Sequence, residues 1–226
     1  TIENNKEPNI VNLNDFPDLK SKFKLEDYVP MAPISYDEIK SYFLKVINEV
    51  EDEEIKSFLI EIMNDYGHDL ISYPASVGVH HEFINGLGYH LYRMLKSAVS
   101  LREVYKDSVN YDYLVAGVLT HDLGKIRCYE LNDIGLAEGY TLENELHGHL
   151  VIGYKMVEEY NLSREKKDMI QHLILSHHGT REYGAAALPM TLEAQMLHGI
   201  SKRIWSLDNN KLYKMPLDSS QTDDKL

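Results

Sequence analysis

Only one of the 226 residues is cysteine, Cys128, which excludes a disulfide framework and any CxxC zinc site. No apolar run reaches membrane-spanning length, and the opening stretch, TIENNKEPNI, has none of the apolar core of a signal peptide. Basic charge is scarce as well: 23 Lys and Arg stand against 36 Asp and Glu, a formal net charge of −13. That balance disfavours a basic surface that wraps nucleic acid, because phosphate binding draws on Lys and Arg. It still leaves room for a site whose positive charge comes from metal ions. No stretch alternates with period two for long enough to make a convincing strand, and there are no internal repeats. These absences lead us to expect a soluble, cytoplasmic protein with no membrane partner.

What is present is helix after helix. At 43% hydrophobic, the chain can bury one domain's core. SYDEIKSYFLKVINEV opens with Ser35 and Glu38 at capping-box spacing, then repeats Ile39, Phe43, Val46, Ile47 and Val50 at helical period. Ile55, Phe58, Leu59, Ile62 and Met63 continue in the next segment. Leu87, Leu91, Met94, Ala98 and Leu101 form a third stripe. Further helices are expected over about 111–123, 141–160, 163–178 and 191–204. Residues 1–30 are polar and Asn-rich, and DSSQTDDKL closes the chain as a solvated tail. The expectation is an all-α fold: an N-terminal extension over 1–30, a helical bundle over 31–204 and a tail over 205–226.

Eleven histidines are many for this length, and their positions carry the chemistry. Along 111–125, the segment that ends in VLTHDLGKI, Leu114, Val118, His121 and Lys125 share one helix face, with Asp122 one step round it. Gly124 is well placed to end that helix in a left-handed cap. His90 lies between Leu87 and Met94. His149 follows Leu142 and Leu146 on their face, and His177 continues the stripe of Ile170, Leu173 and Ile174, with His178 beside it. His147 falls roughly 200° round a regular helix from His149 and reads as a surface or supporting residue. Any one of these histidines could be an ordinary core residue bonded to a carbonyl. Five on the inward faces of four helices, together with Asp122, are costly to satisfy separately. A shared metal centre satisfies them all, and imidazole with carboxylate suits divalent Mn, Fe, Co, Ni or Zn.

These residues resemble the HD phosphohydrolase superfamily: a helix histidine (His90), then HD (His121, Asp122) followed by GK, then His149 and the SHHG pair His177 and His178. YPASVGVHHEFINGLGYHLYRMLKSAVSL, LVAGVLTHDLGKI, YTLENELHGHLVIG and HLILSHHGTREYGAAALPMTLEAQMLH are similar, more closely, to the catalytic domain of YhaM-type 3′→5′ exoribonucleases. The resemblance covers about residues 27–216.

It implies a helical HD domain carrying a metal-dependent phosphodiesterase, most simply a 3′→5′ exonuclease on RNA or single-stranded DNA. It also implies two divalent ions, manganese first, with Fe, Co, Ni, Zn or Mg as alternatives. By similarity, His90, His121 and Asp122 hold one ion, and Asp122 bridges to a second held by His149, His177 and His178. Lys125 would contact the phosphate, and His80, His81 and Arg181 the substrate. A small-nucleotide phosphohydrolase and a non-catalytic HD scaffold are the alternatives, and an oligomer is left open. Two departures stand out. Residues 1–30 are too short for the oligonucleotide-binding β-barrel that usually precedes the family's catalytic domain. Ser201, in LHGIS, stands where the family carries a metal-binding aspartate, and KRIWSLDNNKLYKMP then matches a segment well downstream. We therefore expect a break between Ser201 and Lys202, with the aspartate lying outside this sequence.

Overall fold

The structure is a computed structural model that describes residues 29–76 and 83–209. The described residues from Met31 onward form one compact unit. Seven α-helices occur among the described residues: α1 Tyr36–Asn48, α2 Glu53–Ser72, α3 Gly86–Tyr105, α4 Tyr111–Thr120, α5 Leu142–Glu158, α6 Arg164–Ser176 and α7 Leu192–Asn209. None of the described helices is long and apolar enough to cross a membrane. The fold is all-α, as the periodicity predicts.

Local chemistry fixes the helix starts. At α1 the capping box is closed in both directions: Glu38 N donates to Ser35 Oγ (3.3 Å) and Ser35 N donates to Glu38 Oε2 (3.1 Å). Asp52 accepts from Glu54 N and Ile55 N at the start of α2, and Asn110 does the same for Asp112 N and Tyr113 N before α4. The stripe Ile39, Phe43, Val46 and Ile47 is buried, as are Leu87, Leu91 and Met94 of α3.

The centre of the bundle is α4. Every residue from Leu114 to Thr120 is buried, so this helix is apolar all round and packs on α2, α3, α6 and α7. Because α4 runs through the interior, its C-terminal end also lies in the interior. His121 and Asp122 follow directly, and that is why two neighbouring polar side chains are both buried.

Three local expectations are corrected. The chain does not leave α4 through a left-handed Gly124; it turns into a short 3₁₀ helix, Leu123–Arg127, and Gly124 does not have positive φ. Its lack of a side chain serves packing instead. A Cβ on Gly124 would fall 2.1 Å from the His149 carbonyl oxygen and 2.7 Å from Gly153 N, so the 3₁₀ turn presses backbone-to-backbone on α5. Second, α5 is not one regular helix. Gly148 sits at φ 69, ψ 155, which interrupts the helix and resets its phase. Leu142 and Leu146 before it are exposed, so the stripe expected to carry His149 inward is not a core stripe; the kink is what turns His149 in. Third, a small antiparallel hairpin, β1 Tyr129–Leu131 with β2 Ala137–Tyr140, joins the 3₁₀ turn to α5. Its strands are too short to show period two, and its turn is set locally by Asn132, whose side chain accepts from Ile134 N and Leu136 N.

Candidate metal centre

Asp122 is the hub. Its Oδ2 lies 3.2 Å from His121 Nε2, 3.9 Å from His90 Nε2 and 2.9 Å from Lys125 Nζ. Its Oδ1 lies 3.6 Å from His149 Nε2 and 3.7 Å from His177 Nε2. One carboxylate oxygen thus faces α3 and the end of α4, while the other faces α5 and the end of α6. Two groups of donor atoms result, each with all members within 4.8 Å of one another: His90, His121 and Asp122, and His149, His177 and His178.

The backbone selects the imidazole tautomers. His121 Nδ1 lies 2.9 Å from the Val118 carbonyl oxygen, and His177 Nδ1 lies 2.8 Å from that of Ile174. A carbonyl can only accept, so both Nδ1 atoms carry a proton and both Nε2 atoms are directed at Asp122. The same arrangement arises twice because each histidine follows the last turn of a helix, where carbonyls lack helical partners.

Burial keeps the rings neutral. It pushes His149 down to about 3, His177 well below the ordinary imidazole range, and His178 in the same direction. At Asp122 burial alone would raise the carboxyl, but the Lys125 ammonium first, and then the His121 and His177 rings beside it, outweigh burial and hold the group well below the usual carboxylate range. His121 Nε2, Asp122 Oδ1 and His149 Nε2 are all buried, and none hydrogen-bonds to a described residue. Buried polar atoms without hydrogen bonds, among imidazoles gathered round an ionised carboxylate, fit a divalent transition ion.

A cleft of about 360 Å³ opens beside these groups and is lined by Asp122, Lys125 and both His177 and His178, with α7 on its far side. Ser201 and Lys202 both line it. They are consecutive residues of α7, which runs without interruption from Leu192 to Asn209, so the break expected between them is absent. A serine hydroxyl stands in the cleft at that place.

His198 is a cleft residue that the sequence reading passed over. Its Nδ1 lies 2.8 Å from the His177 carbonyl oxygen, and its ring packs so closely on Gly179 that a Cβ there would come within 2.3 Å of it. The available signal was its spacing, three residues before Ser201 on the same face of α7. Of the other expected residues, Arg181 is exposed and opens the short turn Arg181–Tyr183, whose Tyr183 reaches the cleft. His147 is exposed, on the far side of the Gly148 kink from His149. His80 and His81 lie outside the described residues.

A profile for the HD domain matches residues 87–200, the stretch that supplies every residue of the two groups. A 3′-5′ exoribonuclease YhaM of Bacillus licheniformis is 35% identical over 217 residues, which takes in 84% of this chain and 68% of the relative. The chain belongs to the YhaM family of HD-domain proteins. The exoribonuclease YhaM of Listeria innocua is 33% identical, covering 83% of this chain and 67% of the relative, and that of Bacillus subtilis is 32% identical, covering 84% and 68%. The 217 aligned positions exceed 84% of a 226-residue chain, so the Bacillus licheniformis relative carries residues with no counterpart here. No solved structure matches the chain.

Proposed function

We propose that this chain is a metal-dependent 3′→5′ exonuclease of the cytoplasm, acting on RNA or single-stranded DNA. One observation carries the reading: the two oxygens of Asp122 face two separate sets of histidines, His90 with His121 and His149 with His177, an arrangement suited to two ions held side by side. His90, His121 and Asp122 hold one ion, and His149, His177 and His178 with Asp122 hold the other. Divalent ions in these places, manganese first among them, would supply Lewis-acid charge to the phosphoryl group and to the attacking water.

The chain's own residues do the rest. Asp122 stays ionised and fixes the spacing of the two groups. The Val118 and Ile174 carbonyls hold His121 and His177 in the orientation that presents Nε2. Lys125 ion-pairs with Asp122 at the cleft wall, where its ammonium can shift to a non-bridging phosphate oxygen as charge develops there. Lys125 and Lys202 make the cleft locally cationic in a chain of −13, so the overall charge does not bar a nucleic acid from it. His80, His81 and Arg181 are assigned to substrate contact on the strength of the family pattern.

The test is digestion of a 5′-labelled single-stranded oligonucleotide with added Mn²⁺. A ladder shortening from the 3′ end is expected. Hydrolysis of mononucleotides alone would replace this reading with a small-nucleotide phosphohydrolase. A second reading, a non-catalytic scaffold, is favoured by Ser201 in place of a carboxylate; it requires that neither substrate is cut.

A further inference from the structure

The cleft has an aromatic end that the metal centre does not use. His198, Ser201 and Trp205 line it from one face of α7 at spacings of three and four residues. Trp205 lies about 6 Å along the helix axis beyond Ser201. Across the mouth, Tyr183 ends the short turn after the His177–His178 pair and is 67% exposed, so its ring is accessible to a strand entering the cleft. Lys202 Nζ lies 5.5 Å from the centre of the Tyr183 ring, so an ammonium also stands at this rim of the cleft. Two rings and a cation, one step from a phosphate-directed centre, are the components of a single-strand platform: bases stack on aromatic faces while cations follow the backbone.

We propose that Trp205 and Tyr183 form a stacking subsite for the nucleobase at the 3′ end of the strand, with Lys202 taking its phosphate. The inference rests on the nuclease reading above and names the part of the substrate that this wall binds. The subsite tolerates any base, since every base offers a π-face, and it demands a base rather than a bare sugar-phosphate.

Trp205 is the sole tryptophan of the chain, so its fluorescence reports on the subsite directly. The Mn²⁺-loaded protein is titrated with a hydrolysis-resistant phosphorothioate oligonucleotide and with a twin whose 3′-terminal sugars carry no base. The base-bearing strand is expected to quench Trp205, and the abasic twin to quench little and bind about tenfold more weakly. Tyr183→Leu, at an exposed position, should weaken the base-bearing strand towards its twin. With a hydrolysable oligonucleotide, the same variant should raise KM about tenfold with little change in kcat. Equal binding of the two strands, or an unchanged KM for both Tyr183→Leu and Trp205→Leu, would overturn the subsite. Base-dependent quenching without any hydrolysis would retain the subsite and overturn the nuclease reading; hydrolysis without base-dependent quenching would do the reverse.

Discussion

Gly124 lies so close to His149 that a Cβ on it would fall 2.1 Å from the His149 carbonyl oxygen. The contact joins the turn that follows Asp122 to the helix that carries His149. Gly124→Ala should therefore force α5 away from the 3₁₀ turn, costing about 1–3 kcal/mol as an overpacked contact does. Because His149 moves with its backbone, activity should fall about a hundredfold or more, since displacements of about 1 Å carry that cost. Denaturant unfolding and rate measurements on one preparation check both; wild-type values in each would show that the contact is slack.

Asp122 and Lys125 touch each other, yet their substitution should have different consequences. Asp122→Ala removes the carboxylate that the two groups share and should abolish hydrolysis together with most Mn²⁺ binding. Lys125→Ala should slow turnover by about two orders of magnitude with metal content intact, as loss of one electrostatic donor does. Elemental analysis beside the rates separates the two. Equal rates for wild type and Asp122→Ala would remove catalysis from this centre.

The neutral histidines set a pH dependence for the metal-free protein. His149, His177 and His178 have lowered values in the folded state, so below about pH 6.5 the unfolded chain binds protons that the folded chain refuses. Stability then falls as pH falls, by about 1.4 kcal/mol per pH unit for each fully coupled group. Asp122, also lowered, adds its own loss only below about pH 3.8, where the unfolded carboxylate protonates. Thermal melts in chelator from pH 7.5 to 4.5 should show Tm level at first and falling below about pH 6.5, with a shallower fall for His149→Asn. Parallel curves for the variant and the wild type would contradict the assignment.

Much of this was legible because the helical period is a geometric constraint. Ile39, Phe43, Val46 and Ile47 recur at that period, and so do Ile170, Leu173, Ile174 and His177. Placing one histidine after another on an inward stripe put His90, His121 and His177 in the interior without any structure. His149 was placed correctly for the wrong reason: Leu142 and Leu146 are exposed, and it is the backbone at Gly148 that turns the ring inward. A glycine in a sequence does not announce whether its value is a dihedral angle, as at Gly148, or missing bulk, as at Gly124. His198 escaped because a single polar residue beside an apolar stripe is ordinary, and its role depends on a carbonyl 21 residues away.

Ser201 brings a neutral hydroxyl into the cleft where a carboxylate would be a better ligand, and it invites substitution. It lines the same cleft as His90 and Asp122, so Ser201→Asp adds a carboxylate next to that group. Mn²⁺ affinity should rise about tenfold or more, because hard divalent ions favour a carboxylate over a hydroxyl. Calorimetric titration of both proteins checks this. Unchanged affinity would mean that position 201 is not directed at the ion, and that the first group binds with three ligands.

The central claim is that Asp122 stands between two ions, and crystals soaked in Mn²⁺ test it most directly. The anomalous difference map should hold two peaks. One should lie within about 2.0–2.3 Å of His90 Nε2, His121 Nε2 and an Asp122 oxygen, and the other at similar distances from His149, His177 and His178. A map with no peak beside Asp122, or with His149 turned away from it, would contradict the account.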